Sequence, residues 1–565
     1  MSTIDWIVLF FTLLLIVSYG IYKSRGIKSM EGYIVGGREL PWYNVGFSVM
    51  ATQASAITFL SAPGLAYSSG MSFVQFYFGL PLAMIVLCIT FIPLFHRLKV
   101  FTAYEFLEKR FDVNTRVLTA LLFLIQRGVS TGITIFAPSI ILSSILHLDV
   151  TYTTLIIGSM VIIYTVWGGT KAVSYTQLLQ MSIIFAALLV AGIMVVHFLP
   201  AEIGFQEALH IAGKSGKTNA IDWHFDLNNE YTVWTGLIGG FFLQLSYFGT
   251  DQSQVGRYLT GSSVRESRLG LLMNGLLKVP MQFCILLIGV LVFSYYQFNT
   301  APLFFNKVEI SKLENSKYRT EYQNVILQHE QLGEEKKIWA HKLAAALKND
   351  DIHTINAARE ALQKKNQEDK SLRKEVKKLL KKNNPEAELN DNNYIFLSFV
   401  TSTFPKGLIG LLIAVIFLAS MGSTASAINS LSSTTVIDIY KRFIRKQGSD
   451  KGYLNASRIF TLSWGIITLA VALYASHLGN LLEAVNILGS LFYGTILGVF
   501  LVAFYVRYIG GKAVFWAALS SEAFVFSLWW TDSMAYLWLN LVGCVGVILF
   551  GAILQVLLPS KVESI

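Results

Sequence analysis

The sequence predicts an all-α polytopic membrane protein, and three observations support this prediction. Of its 565 residues, 53% are hydrophobic and 14% are charged, which is more apolar surface than a soluble core of this length needs. The apolar residues form long runs, each near the ~20 residues that a membrane-spanning helix requires. The basic residues behind the net charge of +10 stand between these runs and form no continuous patch, so lipid headgroups rather than nucleic acid are the expected partner.

Thirteen apolar runs are long enough to span a bilayer. Their predicted extents are 5–22, 42–66, 72–95, 117–146, 152–167, 174–199, 233–253, 270–297, 395–433, 456–476, 481–506, 513–530 and 535–558. The first run has Asp5 rather than basic residues before it and no small-residue cleavage site, so we expect a retained peripheral span and not a signal peptide.

Lysine and arginine residues predict the orientation because they collect in alternate loops, which face the cytoplasm. The groups are Lys23/Arg25/Lys28/Arg38, Arg97/Lys99/Lys109/Arg110/Arg116, Lys171, Arg257/Arg265/Arg268, Lys441/Arg442/Arg445/Lys446/Lys451 and Arg507/Lys512. We therefore expect a multi-pass protein of the cell membrane (plasma or inner), with its N-terminus outside and its tail Pro559–Ile565 in the cytoplasm.

The run 42–66 is unusual for a membrane span. Small and hydroxylated residues fill its centre over 51–58, and Pro63-Gly64 closes it. A helix interrupted at membrane depth is tolerated where its free carbonyls line a cavity or bind something, as in the ion sites of secondary transporters. A small-residue packing face is the alternative, and this stretch alone leaves both interpretations open.

The run 395–433 carries a dense set of hydroxyl groups between Ser420 and Thr435. Hydroxyl and carbonyl oxygens are hard donors that suit a sodium ion. For any one of these hydroxyls, hydrogen bonding between helices is the simpler explanation. Two such runs in one chain favour an ion site.

The segment from about 304 to 393 breaks the apolar pattern because it is rich in Lys, Glu, Gln and Asn. Apolar positions such as Leu372, Val376 and Leu379 recur at helical spacing, which predicts a helical hairpin or short coiled coil ending near Pro385. The parity of the spans places it outside the cell. We expect a solvated spacer without a binding role.

No enzyme chemistry is indicated. Cys88, Cys284 and Cys544 each fall inside an apolar run without metal-ligand spacing, so neither a disulfide framework nor a zinc site is implied. No cluster of His or Cys is available for catalysis.

Five motifs occur together over roughly residues 5–558. They are ATQASAIT (51–58), TGITIFAP (131–138), WGGTKAV (167–173), TDQSQVGRYL (250–259), and Ser423–Asn429 followed by DIYK (438–441). In this order they resemble the sodium:solute symporter family, which includes the sodium/glucose, sodium/iodide, sodium/multivitamin and sialic-acid symporters.

The resemblance implies a five-plus-five inverted repeat of the LeuT-like type. Its first core helix corresponds to the run 42–66 and its eighth to 395–433. The implied organisation is a peripheral span and loop at 1–40, core helices 1–7 at 41–303, the insertion at 304–393, core helices 8–10 at 394–508, and peripheral spans with a short tail at 509–565.

The resemblance also implies a sodium site between the first and eighth core helices. Its residues in this sequence are the carbonyls of Ala51, Ala54 and Ala419, the hydroxyl of Ser423, Gly422 where the family often has a second serine, and Thr424 as the nearest substitute.

A second sodium ion in some members needs an aspartate at the position of Gln177. A neutral amide supplies no counter-charge, and Ala425 stands where a hydroxyl is common. We therefore expect no second site and one sodium ion per neutral solute.

The family's substrate cavity maps onto Gln53, Ser55, Thr58, Tyr77, Ser130, Gln244, Lys278 and Asn486, with Tyr247 as the inner gate. Single polar residues of this kind are also common hydrogen-bond partners between helices. The glutamate of the sugar transporters corresponds to Tyr77 and the arginine of the sialic-acid transporters to Ser130, so neither specificity transfers. Arg127 and Lys278 are the cations in reach, which keeps a small carboxylate possible.

The predicted function is sodium-coupled symport of a small organic solute by alternating access. A small carboxylate or vitamin-like anion is favoured over a sugar or polyol. A sodium-conducting channel and a solute sensor on the same fold are the alternatives. The expected partners are the solute, sodium and the bilayer, sodium is the only expected cofactor, and the protein is expected to work as a monomer.

Overall fold

The computed structural model describes residues 1–24, 29–146, 148–475 and 480–557. In this part the chain is helical, and its only β-type pairing is an isolated bridge between Leu40 and Gly261. The helices are α1 Thr3–Ser24, α2 Met30–Val35, α3 Trp42–Gln53, α4 Ala56–Ser69, α5 Leu80–Ile89, α6 Phe91–Leu98, α7 Glu105–Arg110, α8 Val113–Leu146, α9 Val150–His197, α10 Phe205–Lys214, α11 Gly240–Thr250, α12 Gln252–Tyr258, α13 Val264–Phe298, α14 Lys307–Glu314, α15 Arg319–Lys348, α16 Ile352–Asn383, α17 Asn392–Thr403, α18 Leu408–Thr434, α19 Asp450–Tyr474, α20 Leu481–Tyr505, α21 Gly511–Trp530 and α22 Trp538–Leu557.

Four shorter segments connect these helices. Two are 3-10 helices and two are π-helices: Gly36–Arg38, Ser72–Tyr77, Thr235–Gly239 and Thr435–Ile444. The predicted cytoplasmic tail Pro559–Ile565 and the basic residues Arg25 and Lys28 lie outside the described residues.

The prediction of an all-α polytopic membrane protein is confirmed. Ten helical segments of the described part are long and apolar enough to cross a membrane, and the bent pair of α3 and α4 makes eleven. The sequence count of thirteen is higher for two reasons. The run 152–167 forms a short apolar helix at the start of α9, which kinks at Gly169, and the run 233–253 is divided between a π-helix, α11 and α12.

The interruption expected in the run 42–66 lies at Ala54 and Ser55, between α3 and α4. The helix axis bends by 59° between α3 and α4. Ala54 has φ −85° and ψ 87°, and Ser55 is extended with ψ 174°, so the helical hydrogen-bond ladder stops there. Pro63 does not close the stretch as expected. It lies inside α4, which continues to Ser69, because neighbouring helices can hold a proline-containing helix together in a membrane.

The ninth predicted span begins later than expected. α17 occupies its predicted start and ends before Phe404, and Pro405 and Gly407, with φ +90°, separate α17 from α18. The predicted boundary at 395 is therefore wrong, because apolar residues occur on both sides of the break between α17 and α18. α18 is buried along almost its whole length and packs on α1, α3, α8 and α9, so its hydroxyls face other helices.

The loops with many basic residues meet at one end of the bundle. Arg116 pairs there with Asp438 and Glu108, and Arg442 also pairs with Glu108. α13 starts near this end, just after Gly261, which forms the bridge with Leu40. Its 35 residues span about 50 Å, toward the opposite end of the bundle.

At the opposite end lies the insertion, which forms the predicted helical hairpin from α15 and α16. The hairpin has a small apolar cluster of its own, made by Leu303, Phe304, Leu313, Tyr322, Val325, Val376, Leu379 and Leu380. It is also attached to the membrane-spanning part. Lys348 and Gln363 donate hydrogen bonds to the carbonyls of Glu202 and Lys214, and the His341 ring contacts Phe298.

Close packing of α4 and α13 yields a stability prediction. A Cβ added at Gly289 would come within 2.1 Å of the Pro63 carbonyl oxygen. Gly289→Ala is therefore expected to destabilise the protein by about 1–3 kcal/mol, the usual cost of overpacking, and to lower the thermal unfolding temperature in detergent. Gly192→Ala in α9 is the matched control, because its new Cβ would meet its nearest neighbour at 3.9 Å. Equal unfolding temperatures for the two variants would contradict this packing.

Candidate functional site

A cavity of about 90 Å³ lies beside the break between α3 and α4. Seven of the nine residues predicted for substrate binding and the inner gate line it: Gln53, Ser55, Thr58, Tyr77, Gln244, Tyr247 and Asn486. They come from α3, the break, α4, the 3-10 helix before α5, α11 and α20. The fold thus brings together polar residues that are far apart in the sequence.

The cavity wall offers unpaired amide groups beside aromatic rings. Nε2 of Gln53 donates to Oε1 of Gln244 at 3.4 Å. Oε1 of Gln53, Nε2 of Gln244 and Nδ2 of Asn486 are buried and have no hydrogen-bond partner in the described protein. Buried polar atoms almost always have partners, so these three atoms are free to bind a polar ligand.

Two predicted substrate residues, Ser130 and Lys278, do not line the cavity. The Ser130 hydroxyl donates to the Arg127 carbonyl oxygen at 3.3 Å, within α8. Lys278 is fully buried in α13, and its Nζ lies 5.6 Å from the centre of the Tyr77 ring. That Nζ has no hydrogen-bond partner among the described residues. Since Tyr77 lines the cavity, Lys278 is one side chain away from it.

An ion pair between Arg127 and Asp251 borders the cavity at the predicted gate. The Asp251 carboxylate also accepts the hydroxyl of Tyr493 at 2.9 Å. The Arg127 guanidinium lies over the ring of Tyr247, 5.2 Å from its centre, and the Tyr247 hydroxyl accepts a hydrogen bond from Gln254 at 2.7 Å. The pair therefore joins α8, α11, α12 and α20 next to the gate residue.

Sequence reasoning named Arg127 as a cation in reach but missed Asp251, Gln126 and Tyr493. Asp251 could have been identified from the sequence, because a carboxylate that ends an apolar run needs a cation near it. No sequence feature identified Tyr493, since aromatic residues are common in a buried membrane helix.

The predicted sodium ligands come from two helices in direct contact. The hydroxyl oxygens of Thr52 in α3 and Ser426 in α18 are 3.0 Å apart. Ala51 lies in the last turn of α3 and Ala54 at the break. Carbonyls at the end of a helix lack their usual donors, and inside a membrane they need another partner, for which a cation is suitable.

On α18, the Ser423 hydroxyl lies 2.9 Å from the Ala419 carbonyl oxygen, so two of the predicted oxygens are neighbours. The Thr424 hydroxyl is buried and bonded to no described atom. A Cβ at Gly422 would come within 2.5 Å of Oε1 of Gln180, so a serine there would have to displace that side chain. The described ranges contain no metal-binding group of three or more His, Cys, Asp or Glu, so neutral oxygens are what this region offers a cation.

Gln177 of α9, at the position where the resemblance implies an aspartate in some family members, is fully buried. Its Nε2 has two N–H groups and three acceptors within hydrogen-bond distance: the hydroxyls of Thr52 and Ser426, at 3.2 and 2.9 Å, and the Gly422 carbonyl oxygen, at 3.1 Å. Its Oε1 accepts the Ser48 hydroxyl at 2.6 Å. A carbonyl oxygen can only accept, so the amino end of the amide must face Gly422. The amide thus bonds oxygens at the contact between α3 and α18.

Comparison with known proteins agrees with this geometry. The sodium:solute symporter family matches residues 33–318 and 383–520. The unmatched gap spans α15 and nearly all of α16, so the hairpin is an insertion relative to the family.

Two curated relatives and one solved structure illustrate the likeness. The human sodium/iodide cotransporter is 33% identical over 51% of this chain, and the match covers 45% of its own length. Sodium-coupled monocarboxylate transporter 1 of Xenopus laevis is 25% identical over 93% of this chain and 71% of its own. The structure of a sodium-coupled sialic acid symporter in a substrate-bound, outward-open state covers all of both chains with a TM-score of 0.77 and 22% identity, which shows a common fold.

The family match covers well over half of the chain, and the fold and the converging polar cavity agree with it. The chain belongs to the sodium:solute symporter family and is a sodium-coupled transporter, not an enzyme.

Proposed function

We propose that this sodium-coupled symporter carries a short organic monocarboxylate together with one sodium ion. Lys278 is the observation that carries the proposal. Asp251 neutralises Arg127, whereas Lys278 has no ion-pair partner in the described part of the chain. A buried ammonium without a counter-charge is costly, and a carboxylate bound one side chain away offsets that cost. A neutral sugar does not.

The size of the cavity supports a small solute. One water molecule needs at least about 10–15 Å³ of such space, so the cavity of about 90 Å³ holds roughly six to nine water-sized groups. A lactate-sized acid, with about six non-hydrogen atoms, fits within that range. The free amide donors of Gln244 and Asn486 can bond its oxygens. The sodium-coupled monocarboxylate transporter among the relatives points to the same class.

For sodium we propose a site where α3 meets α18. Its ligands are the carbonyl oxygens of Ala51, Ala54 and Ala419 and the hydroxyl of Ser423. The hydroxyl of Thr424 is the alternative ligand. The end of α3 at the break and the unpaired hydroxyl of Thr424 support this assignment. The Gln177 amide supports a single ion, because it already donates to the oxygens beside it.

Membrane orientation follows from the two ends of the bundle. In this proposal the basic end with Arg116 and Arg442 faces the cytoplasm, because basic loops stay on that side. The N-terminus and the insertion then face outward. The monomer remains the proposed transport unit.

Solute choice can be tested in proteoliposomes with an inward sodium gradient. Uptake of acetate, lactate or pyruvate is expected to exceed that of glucose. Lys278→Met is expected to raise the KM for the carboxylate about tenfold, the effect of losing ~1.4 kcal/mol of binding, and to leave the KM for sodium unchanged. Lys406→Met, at an exposed site, is the control. Sodium-driven uptake of glucose without any uptake of carboxylate would overturn the proposal.

The sodium site has its own test. Ser423→Ala is expected to raise the sodium concentration for half-maximal uptake about tenfold, because a dehydrated cation loses one oxygen, here taken as ~1.4 kcal/mol. Ser433→Ala, a buried serine further along α18, should leave the sodium dependence unchanged. The assignment is wrong if sodium dependence stays unaltered in Ser423→Ala and in the double variant Ser423→Ala/Thr424→Ala.

The ion-to-solute ratio tests the role of Gln177. We expect a Hill coefficient for sodium near one and, for a monocarboxylate, uptake that generates no current, because one sodium ion and one carboxylate together carry no net charge. Gln177→Ala should lower the thermal unfolding temperature, because the hydrogen bonds at both ends of its buried amide are lost. Gln180→Ala is the matched control, since its amide has no partner. A Hill coefficient near two in the native protein would show that other oxygens hold a second ion.

A further inference from the structure

A second cavity, of about 460 Å³, lies between the insertion and the membrane-spanning part. It is bounded by the ends of α4 and α13 on one side and by α15 and α16 on the other. Five basic side chains and two carboxylates line it: Lys217, Lys336, Lys370, Arg373, Lys377, Asp369 and Asp391. It shares no lining residue with the central cavity, so it is a separate feature.

Both carboxylates of this cavity already have partners. Asp369 accepts from His329 at 2.9 Å and from Nε of Arg373 at 3.0 Å. Asp391 lies 3.5 Å from Nζ of Lys377. Neither carboxylate is left to neutralise the remaining cations.

Lys336 keeps an unpaired charge at the cavity, and Arg373, although paired with Asp369, keeps a free N–H group there. Lys336 is only 8% exposed and forms no ion pair with a described carboxylate, and Nη2 of Arg373 is buried without a partner. Burial lowers the pKa of Lys336. Burial and the nearby charge of Lys370 lower the pKa of Lys217 to about 8. These shifts reflect burial and the neighbouring positive charges.

We propose that this cavity binds a small oxyanion of the carboxylate, sulfate or phosphate class between Lys336 and Arg373. A guanidinium with a free N–H group bonds such oxygens directionally, and the ammonium adds charge. Lys336 and Arg373 both fall in the segment that the family does not match, so the site belongs to this chain's insertion. A bound oxyanion links α15 and α16 to the loop that carries Lys217.

Binding of radiolabelled sulfate to the purified full-length protein, in detergent without added phospholipid and with chloride as the other anion, tests the site. Saturable binding is expected for the native protein, with at least a tenfold loss of affinity in Lys336→Met. Lys337→Met, which changes an exposed neighbour on α15, should bind like the native protein. No saturable binding of sulfate by the native protein, or equal losses in the two variants, would overturn the proposal.

Thermal unfolding separates binding from a purely structural role of Lys336. Sulfate should raise the unfolding temperature of the native protein and of Lys337→Met but not that of Lys336→Met. Without sulfate, Lys336→Met should be at least as stable as the native protein, because an unpaired buried charge has been removed. A variant that is less stable without sulfate and still responds to it would contradict the site.

The central cavity provides a last comparison. Asn486→Ala should leave sulfate binding unchanged, and unlabelled acetate should displace the sulfate. The result for Asn486→Ala does not depend on which solute is transported, so it tests the oxyanion site separately from the proposed function. Loss of sulfate binding in Asn486→Ala would place the anion in the central cavity and overturn the proposal.

Discussion

Every backbone carbonyl inside a bilayer needs a partner, and this constraint governs the middle of the protein. At Ala54 and Ser55 the first core helix gives up its hydrogen-bond ladder. The resulting gap is flanked by the polar cavity on one side and by the hydroxyls of α18 on the other. A cavity and an ion site can therefore share one break, which is a direct physical route from helix geometry to coupled transport.

The sequence predicted that the run 42–66 is broken, because small and hydroxylated residues are poor lipid-facing material. It did not predict the position of the break. Pro63 is the conspicuous helix breaker, yet it stays helical where Gly289 lets α13 pack against it. The actual break contains no proline or glycine, so contacts with other helices decide where it falls.

For the site, the resemblance placed most of the expected residues around one cavity because it carries positions along each helix. Lys278 and Ser130 lie off the cavity, since the rotation of a helix decides which side chains face inward and one sequence does not reveal it. The basic cavity at the insertion had no motif at all. It arises from the way a charged hairpin, expected to be a solvated spacer without a binding role, packs on the ends of α4 and α13.

The single-ion coupling that we propose from the Gln177 amide has an electrical consequence. A monocarboxylate that moves with a single sodium ion carries no net charge across the bilayer. The membrane potential, worth about 2.3 kcal/mol per charge at 100 mV, then adds nothing to solute accumulation. Uptake follows the sodium gradient alone, and such a transporter neither depolarises its membrane nor stops when that membrane loses its potential.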